Sequence, residues 1–206
     1  MKPQLQSRCQ SMQKPARFWL WVDGVGGFLV CEAAACTIGQ PAAEVEIGIL
    51  ADVSSRQAII RRQQDDYLLE PLRPTKLEGR VLAGPALLSD RATIQLGESV
   101  RLLFRRPHPY SASACLNLAS GHRTLPASDG ILLAADSLVL GASSRAHVRC
   151  RAWTSEVVLY RQQGQWACRS AGPVEIDARQ TIGGGLLERS SRIVGPDFSF
   201  SLEEAG

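Results

Sequence analysis

The 206-residue sequence predicts an all-β protein made of two tandem β-sandwich domains. Three observations carry this expectation. Apolar residues recur with period two in short runs, turn residues punctuate these runs at close intervals, and no stretch holds a capped 3.6-residue stripe over three turns. Ala42–Ile49 comes nearest to a helical stripe and is too short. The length suits one large or two small domains of about 100–150 residues each.

The first fifteen residues are polar, with Gln4, Gln6, Ser7, Arg8, Gln10, Ser11 and Gln13, and predict a flexible N-terminal tail. They contain no apolar core of a secretory signal, which implies a cytoplasmic, reducing setting. The six cysteines (Cys9, Cys31, Cys36, Cys115, Cys150 and Cys168) are accordingly expected as thiols, most of them small buried hydrophobes. From Phe18 the pattern is β. Phe18, Leu20 and Val22 alternate with Trp19, Trp21 and Asp23, and Trp19 and Trp21 are assigned to opposite faces, one in the core and the other at a cap or interface. Asp23-Gly24 and Gly26-Gly27 turn the chain into a return strand over Phe28–Cys31. Further strands are expected at Cys36–Ile38, Ala58–Arg62, Tyr67–Leu69, Lys76–Leu77, Arg80–Leu82, Thr93–Leu96 and Val100–Phe104.

Pro107, Pro109, Ser111, Ser113, Gly121 and Pro126 interrupt this pattern. They divide the chain into a first sandwich over residues 16–107, a linker over 108–126 with a short strand at Cys115–Leu118, and a second sandwich over 127–206. In the second, strands are expected at Ile131–Ala134, Ser137–Leu140, Ala146–Cys150, Glu156–Arg161, Gln165–Arg169, Val174–Ile176, Ser191–Val194 and Phe198–Leu202. Gln162-Gln163-Gly164 forms a hairpin turn, and Gly183-Gly184-Gly185 reads as a flexible turn between strands.

The two halves look like copies. Thr37-Ile38-Gly39 is followed by Ser54-Ser55-Arg56 and an apolar strand, and Val139-Leu140-Gly141 by Ser143-Ser144-Arg145 and an apolar strand. A polar hairpin comes next in each, Arg61 to Tyr67 and Arg161 to Trp166.

Over residues 18–106 the run Ile38-Gly39-Gln40, Ser54-Ser55-Arg56-Gln57, Thr75-Lys76-Leu77-Glu78-Gly79-Arg80 and Ile94-Gln95-Leu96-Gly97 resembles the forkhead-associated (FHA) domain. The resemblance implies an FHA/SMAD-like β-sandwich that binds phosphothreonine peptides through loops at one end. It places candidate binding residues at Gly39, Gln40, Ser54, Ser55, Arg56, Arg73 and Thr75. In the family the Arg after Gly and the Arg after Ser face the phosphate; here those positions match Gln40 and Ser55. Ser54 matches the phosphate-binding Ser, Gln57 the loop-bracing His, and Arg73 falls near the peptide-binding Asn. Phosphothreonine carries about −1.5 to −2 charges and pairs bidentately with Arg, so hydroxyl and amide donors are weaker substitutes unless Arg56 or Arg73 reaches in.

Residues 127–204 resemble a degenerate second FHA unit. Leu140-Gly141 matches the Gly position, and Ser144-Arg145-Ala146-His147 keeps the Ser-Arg-x-His order, so Ser144, Arg145 and His147 are the second-domain candidates. Only Ala142 and Ser143 separate Gly141 from Ser144. Three virtual bonds span at most about 11 Å, so any pocket here differs from the family's. His147 reads either as a bracing or ligand group or as a satisfied buried histidine at a strand start.

No other chemistry is supported. Lys+Arg at 23 against Asp+Glu at 20 leaves a net charge of +3, which gives no electrostatic case for nucleic acid. The cysteines form no CxxC pair, so no metal is expected, and no cofactor motif is present. No serine has a nucleophile elbow or an evident base, so no enzyme is expected. Arg61-Arg62 and Arg105-Arg106 suggest acidic partners, although their charges divide between two strand faces. The expectation is a cytoplasmic, non-catalytic interaction adaptor of a bacterial style of signalling or secretion. Its partner is a protein; phosphothreonine, the family's ligand, is expected to bind weakly or not at all, because the phosphate-contacting Arg positions hold Gln40 and Ser55, and neither nucleic acid nor membrane is expected. The alternative is an assembly protein that keeps the fold without binding phosphopeptides.

Overall fold

A computed structural model describes residues 17–205. The tail expected over residues 1–15, with Cys9, lies outside the described residues. These form 21 strands and no helix. In the first half they are β1 (Arg17–Val22), β2 (Gly26–Cys31), β3 (Ala35–Gly39), β4 (Ile47–Leu50), β5 (Ala58–Gln63), β6 (Asp66–Pro71), β7 (Thr75–Leu77), β8 (Arg80–Val81), β9 (Ala86–Leu87), β10 (Thr93–Leu96) and β11 (Val100–Arg105). There follow β12 (Ala114–Leu118), β13 (Arg123–Thr124), β14 (Gly130–Leu133), β15 (Ser137–Gly141), β16 (Val148–Arg149), β17 (Val157–Gln162), β18 (Gln165–Ile176), β19 (Arg179–Leu187), β20 (Arg192–Val194) and β21 (Ser199–Glu204). No helix among the described residues is long and apolar enough to cross a membrane.

The strands form two sheets. The smaller runs β13-β4-β3-β5-β6-β9; the larger runs β16-β15-β17-β18-β20-β21-β1-β2-β14-β12-β11-β10-β7-β8, with β19 on β18. One core lies between the small sheet and the β1-to-β7 part of the large one, and contains Ile38, Ile47, Ile60, Leu69, Ile94 and Phe104. The other lies where the large sheet turns back on itself, and contains Leu138, Leu140, Leu159, Trp166, Ile193 and Phe200.

The strands between these cores are buried on both faces. In β1, Trp19 faces the first core, and Phe18, Leu20 and Val22 face the second. In β2, Leu29 and Cys31 face the first and Val30 the second; in β14, Ile131 and Leu133 face the first and Leu132 the second; in β12, Ala114 and Leu116 face the first and Cys115 the second. Alternation along a strand sends successive side chains to opposite faces, so these four strands serve both cores at once. They form a common wall.

The pairing pattern recurs in the two halves. β3 pairs β4 in parallel and β5 antiparallel; β15 repeats this with β16 and β17. β2 and β14, which lead into β3 and β15, pair in parallel with Leu29 opposite Ile131 and Cys31 opposite Leu133. Gly39 follows Cys31 by as many residues as Gly141 follows Leu133, so the two halves meet here in matching register. Each half's first strand then pairs with the other half's last: β1 lies against β21, and β12 against β11. Each half thus takes an edge partner from the other.

A polar clamp reinforces this junction. The Glu32 carboxylate, just beyond β2, accepts from Trp166 Nε1 at 2.8 Å and is ion-paired with Arg161 and Arg189. Arg161 stacks on Trp166 at 4.5 Å and Arg189 on Phe18 at 4.2 Å. Glu32 is thus largely out of water but paired by two guanidinium groups, which offset its desolvation.

Several expectations are revised. Residues 108–126, expected as a linker, carry β12 and β13, and β12 sits inside the large sheet. The Pro- and Ser-rich residues lie around these strands rather than replacing them. Trp19 and Trp21 do not take opposite faces: residues two apart share a face, and their rings stack with centroids 5.1 Å apart. Trp19 is core, while Trp21 stays partly exposed and donates to Glu203 at 2.7 Å. Gly183-Gly184-Gly185 is no turn but the middle of β19, opposite a bulge in β18 between Arg169 and Pro173. Gly184 has φ +120°, and a Cβ there would meet the Cys168 carbonyl at 2.0 Å, so only glycine fits the bulge. Ile47–Leu50 is a strand, missed because its buried run lacks alternation. The five described cysteines are buried and unbridged, and burial pushes the Cys115 and Cys150 thiols up to about 12.

Cutting the chain after residue 107 removes β12 and β14 and uncovers Trp19, Leu29 and Phe104 of the first core. A fragment of residues 16–107 is therefore expected to give a collapsed amide spectrum in ¹H–¹⁵N correlation NMR. A dispersed spectrum of a folded domain would contradict the common wall.

Candidate functional site

The loop end of the first half is built around Gly39 and Gln57. Gly39 ends β3 where the 54–55 backbone crosses it; a Cβ would lie 2.1 Å from the Ser55 carbonyl, so this close approach requires glycine. Gln40 N–H donates to the Ser54 carbonyl at 3.1 Å, which fixes the crossing. Gln57 is 1% exposed and ties three segments together: the end of β3, its own 54–57 loop and residues 72–74. Its N–H donates to Ile38 O at 2.8 Å, its carbonyl accepts from Leu72 and Arg73, its Oε1 accepts from Ser54 N–H at 3.0 Å, and its Nε2 donates to Pro74 O at 2.8 Å. A buried amide satisfied at every atom is a rigid brace. It stands at the position the sequence matched to the family's loop-bracing histidine.

Beside this brace opens a cleft of about 620 Å³ lined by Asp52, Val53, Ser54, Gln57, Pro74, Lys76, Gln95, Gly97 and Glu98. Of the sequence-predicted residues only Ser54 lines it. Gln40, Ser55, Arg56 and Arg73 are exposed and outside the lining, and Arg56 and Arg73 make no ion pair among the described residues. Thr75 is buried with its hydroxyl donated to Arg73 O at 2.9 Å, so it holds the loop internally. The cleft thus offers one cation, Lys76, against the carboxylates of Asp52 and Glu98. Lys76, Gln95 and Glu98 carried no signal of this role in the sequence; strand pairing alone brings them to Ser54. Gln95 Nε2 closes the 97–99 turn by donating to Glu98 O at 2.9 Å.

In the second half the Ser144-Arg145-Ala146-His147 run is not the counterpart of the Ser54 loop. It lies on the crossover from β15 to β16, equivalent to residues 42–46 between β3 and β4. Ala146 N–H donates to Ser143 O as Val45 N–H does to Ala42 O. His147 Nδ1 accepts from Val139 N–H at 3.0 Å where Glu46 accepts from Thr37 N–H at 2.7 Å. The loop that enters β17, residues 153–156, is the true counterpart, because Ala58 opposite Ile38 matches Val157 opposite Leu140. The local sequence match between the two serine-rich runs was misleading.

That second tip loop is already occupied. Asp197, on the turn between β20 and β21, sends Oδ2 into it. This oxygen accepts from Thr154 N–H, from Thr154 Oγ1 at 2.7 Å and from Ser155 N–H at 2.9 Å. Hydrogen bonds from Ser155 and Thr154 hold the Asp197 carboxyl well below the usual carboxylate range. Glu98 stands on the equivalent turn of the first half, between β10 and β11, but lines an open cleft. One tip is open and the other is closed by the chain's own carboxylate.

His147 is 6% exposed and wedged between the halves. Its Nε2 lies 3.3 Å from the Ser113 carbonyl and its Nδ1 takes the Val139 N–H, so the neutral Nε2–H tautomer satisfies both. Burial lowers its pKa to about 4, and His108, stacked at 6.2 Å, and Arg105 add to this, against the Ser113 hydrogen bond. The satisfied-histidine reading fits this geometry. Among the described residues no group of three or more His, Cys, Asp or Glu side chains converges as a metal site.

No protein-family model and no curated protein matches the chain. Among solved structures it is similar to the Rv0020c FHA structure at 23% identity, covering 39% of this chain and 84% of that one, with a TM-score of 0.29. It is also similar to the N-terminal FHA domain from EssC, a component of the bacterial Type VII secretion apparatus, at 14% identity over 92% of this chain and 97% of that one, with a TM-score of 0.26.

His147 gives a pH test. Its folded pKa of about 4 lies below the ordinary value of 6.5, so the unfolded chain binds the extra proton first. The native state is fully favoured above pH 6.5 and loses stability as pH falls from there towards 4, by about 2 kcal/mol at pH 5. Urea midpoints are expected to drop between pH 7 and pH 5, and His147→Gln should flatten that drop. An equal drop in both proteins would contradict a buried neutral His147.

Proposed function

We propose that this chain is a non-catalytic protein-interaction module of FHA type, made of two interlocked tandem sandwiches, whose first-half tip receives a partner segment without a phosphothreonine clamp. One observation carries this reading: the cleft beside Ser54 presents Lys76 against Asp52 and Glu98 and has no arginine in its lining. A phosphothreonine brings about −1.5 to −2 charges, which two carboxylates repel and one lysine does not balance. The Gln57 brace supports the recognition half of the proposal, since a pre-organised loop loses little entropy on binding. The Asp197 carboxylate in the second tip supports its asymmetry, leaving the first tip as the open one.

The full chain titrated with a degenerate phosphothreonine library and with its unphosphorylated counterpart tests this. The amide resonances of Ser54, Gln57, Lys76 and Glu98 are expected to show no phosphate-dependent shift. Micromolar, phosphate-dependent binding that Ser54→Ala or Arg56→Ala weakens would overturn the reading and restore a phosphothreonine pocket.

A further inference from the structure

A second cleft, of about 550 Å³, lies between the halves, away from the Ser54 loop. It is lined by Asp90, Arg91, Leu103, Arg105, Pro107, Ser144 and Arg145. Its cations come from three elements: Arg91 from the turn before β10, Arg105 from the end of β11 and Arg145 from the crossover after β15. The first half thus supplies two guanidinium groups and the second half one, and the cleft takes its lining from both.

The charges in this cleft are poorly neutralised from within. Asp90 is its single carboxylate. Its Oδ1 is engaged by the Arg106 N–H at 2.7 Å, and its Oδ2 faces Arg91 at only 3.8 Å with both side chains well solvated. Arg105 Nη2 donates to a neutral acceptor, the Ser144 carbonyl, at 3.3 Å. Arg145 has no ion pair among the described residues, its backbone N–H alone being taken by Ser143 Oγ at 3.1 Å. Three guanidinium groups therefore face one partly committed carboxylate. Arg91 also holds a left-handed backbone, φ +65°, which is unfavourable for a residue with a Cβ and which places its side chain at this rim.

We propose that this interlobe cleft binds an acidic segment of a partner protein, a run of Asp and Glu side chains. The cations are spread over three elements and so meet charges spaced along a chain, whereas a single phosphoryl group needs its donors at one point. Leu103 and Pro107 give the aliphatic parts of such a segment an apolar floor. The contact is electrostatic and solvated, so it is weak and sensitive to salt.

The test uses the full chain with a hexaglutamate peptide, a hexaglutamine peptide and a phosphothreonine peptide otherwise uncharged, followed by calorimetry at low and moderate salt. Hexaglutamate is expected to bind at least tenfold more tightly than hexaglutamine and to weaken several-fold when salt is raised from about 50 to 200 mM. The pair Arg91→Gly and Arg145→Gln should lower that affinity at least tenfold. Melting temperature should be unchanged or raised, because glycine accepts φ +65° and Arg145 makes no ion pair to lose. Lys76→Ala, in the tip cleft, should leave hexaglutamate binding unaltered. Equal binding of the two hexapeptides, an unchanged affinity in the arginine pair, or loss on Lys76→Ala would overturn the proposal. Tighter binding of the phosphothreonine peptide that depends on Arg91 and Arg145 would overturn the acidic-segment assignment in favour of a phosphoryl site. The same binding dependent on Ser54 would instead refute the reading of the tip.

Discussion

The structure depends on four strands that pack against a core on each face. β1, β2, β14 and β12 are apolar on both sides because each side closes a different core. A side chain such as Leu20 or Leu132 works for the second core while its neighbours Trp19 and Ile131 work for the first. Burying a side chain of this size stabilises by about 1.5–3 kcal/mol, and along the wall that gain serves both halves. Neither half can therefore lose these strands and keep its own core. The pairing of β1 with β21 and of β12 with β11 makes the dependence mutual, and the Glu32 clamp adds a polar lock at the end of β2.

The wall also sets where function can sit. It joins the halves so that the crossover of one meets the far end of the other, which produces the arginine-lined cleft. It leaves the tips at separate places with separate fates. Turns at matching places bring Glu98 to the rim of an open cleft in one half and Asp197 into the loop donors of the other. A single architecture thus yields one open tip, one tip occupied by the chain's own carboxylate and one composite groove. The difference rests on a few side chains: Gln57 bracing, Asp197 plugging, and Arg91, Arg105 and Arg145 left without full counter-charge.

Much of this fold is legible in the sequence. Period-two runs locate β1, β5, β10, β11, β17 and β21 because each has one polar or one distinct face. The likeness of the two halves is visible in the Gly39 and Gly141 neighbourhoods and in the two polar hairpins. What stays hidden has physical reasons. β4 is buried without alternation, and β13 is two residues long. β19 contains three glycines that serve a bulge and so imitate a turn. Pairing across the halves changes partners without changing any strand's own pattern, so no local signal records it. The site was legible only at Gly39, Ser54 and Gln57, where backbone crossing and bracing constrain residue type. Ser144 to His147 has the letters of a recognition loop but the chain position of a crossover. Asp197 reaches its loop from 42 residues away, which sequence spacing cannot report.

The pairing of edge strands across the halves is most directly tested by cross-strand nuclear Overhauser contacts in the full-length protein. Contacts should follow the β1–β21 register from Phe18 opposite Glu204 to Val22 opposite Phe200, and the β11–β12 register from Leu102 opposite Leu118 to Arg105 opposite Cys115. Contacts joining β1 to β11 and β12 to β21 instead would mean two self-contained sandwiches, and the account of a common wall would fail.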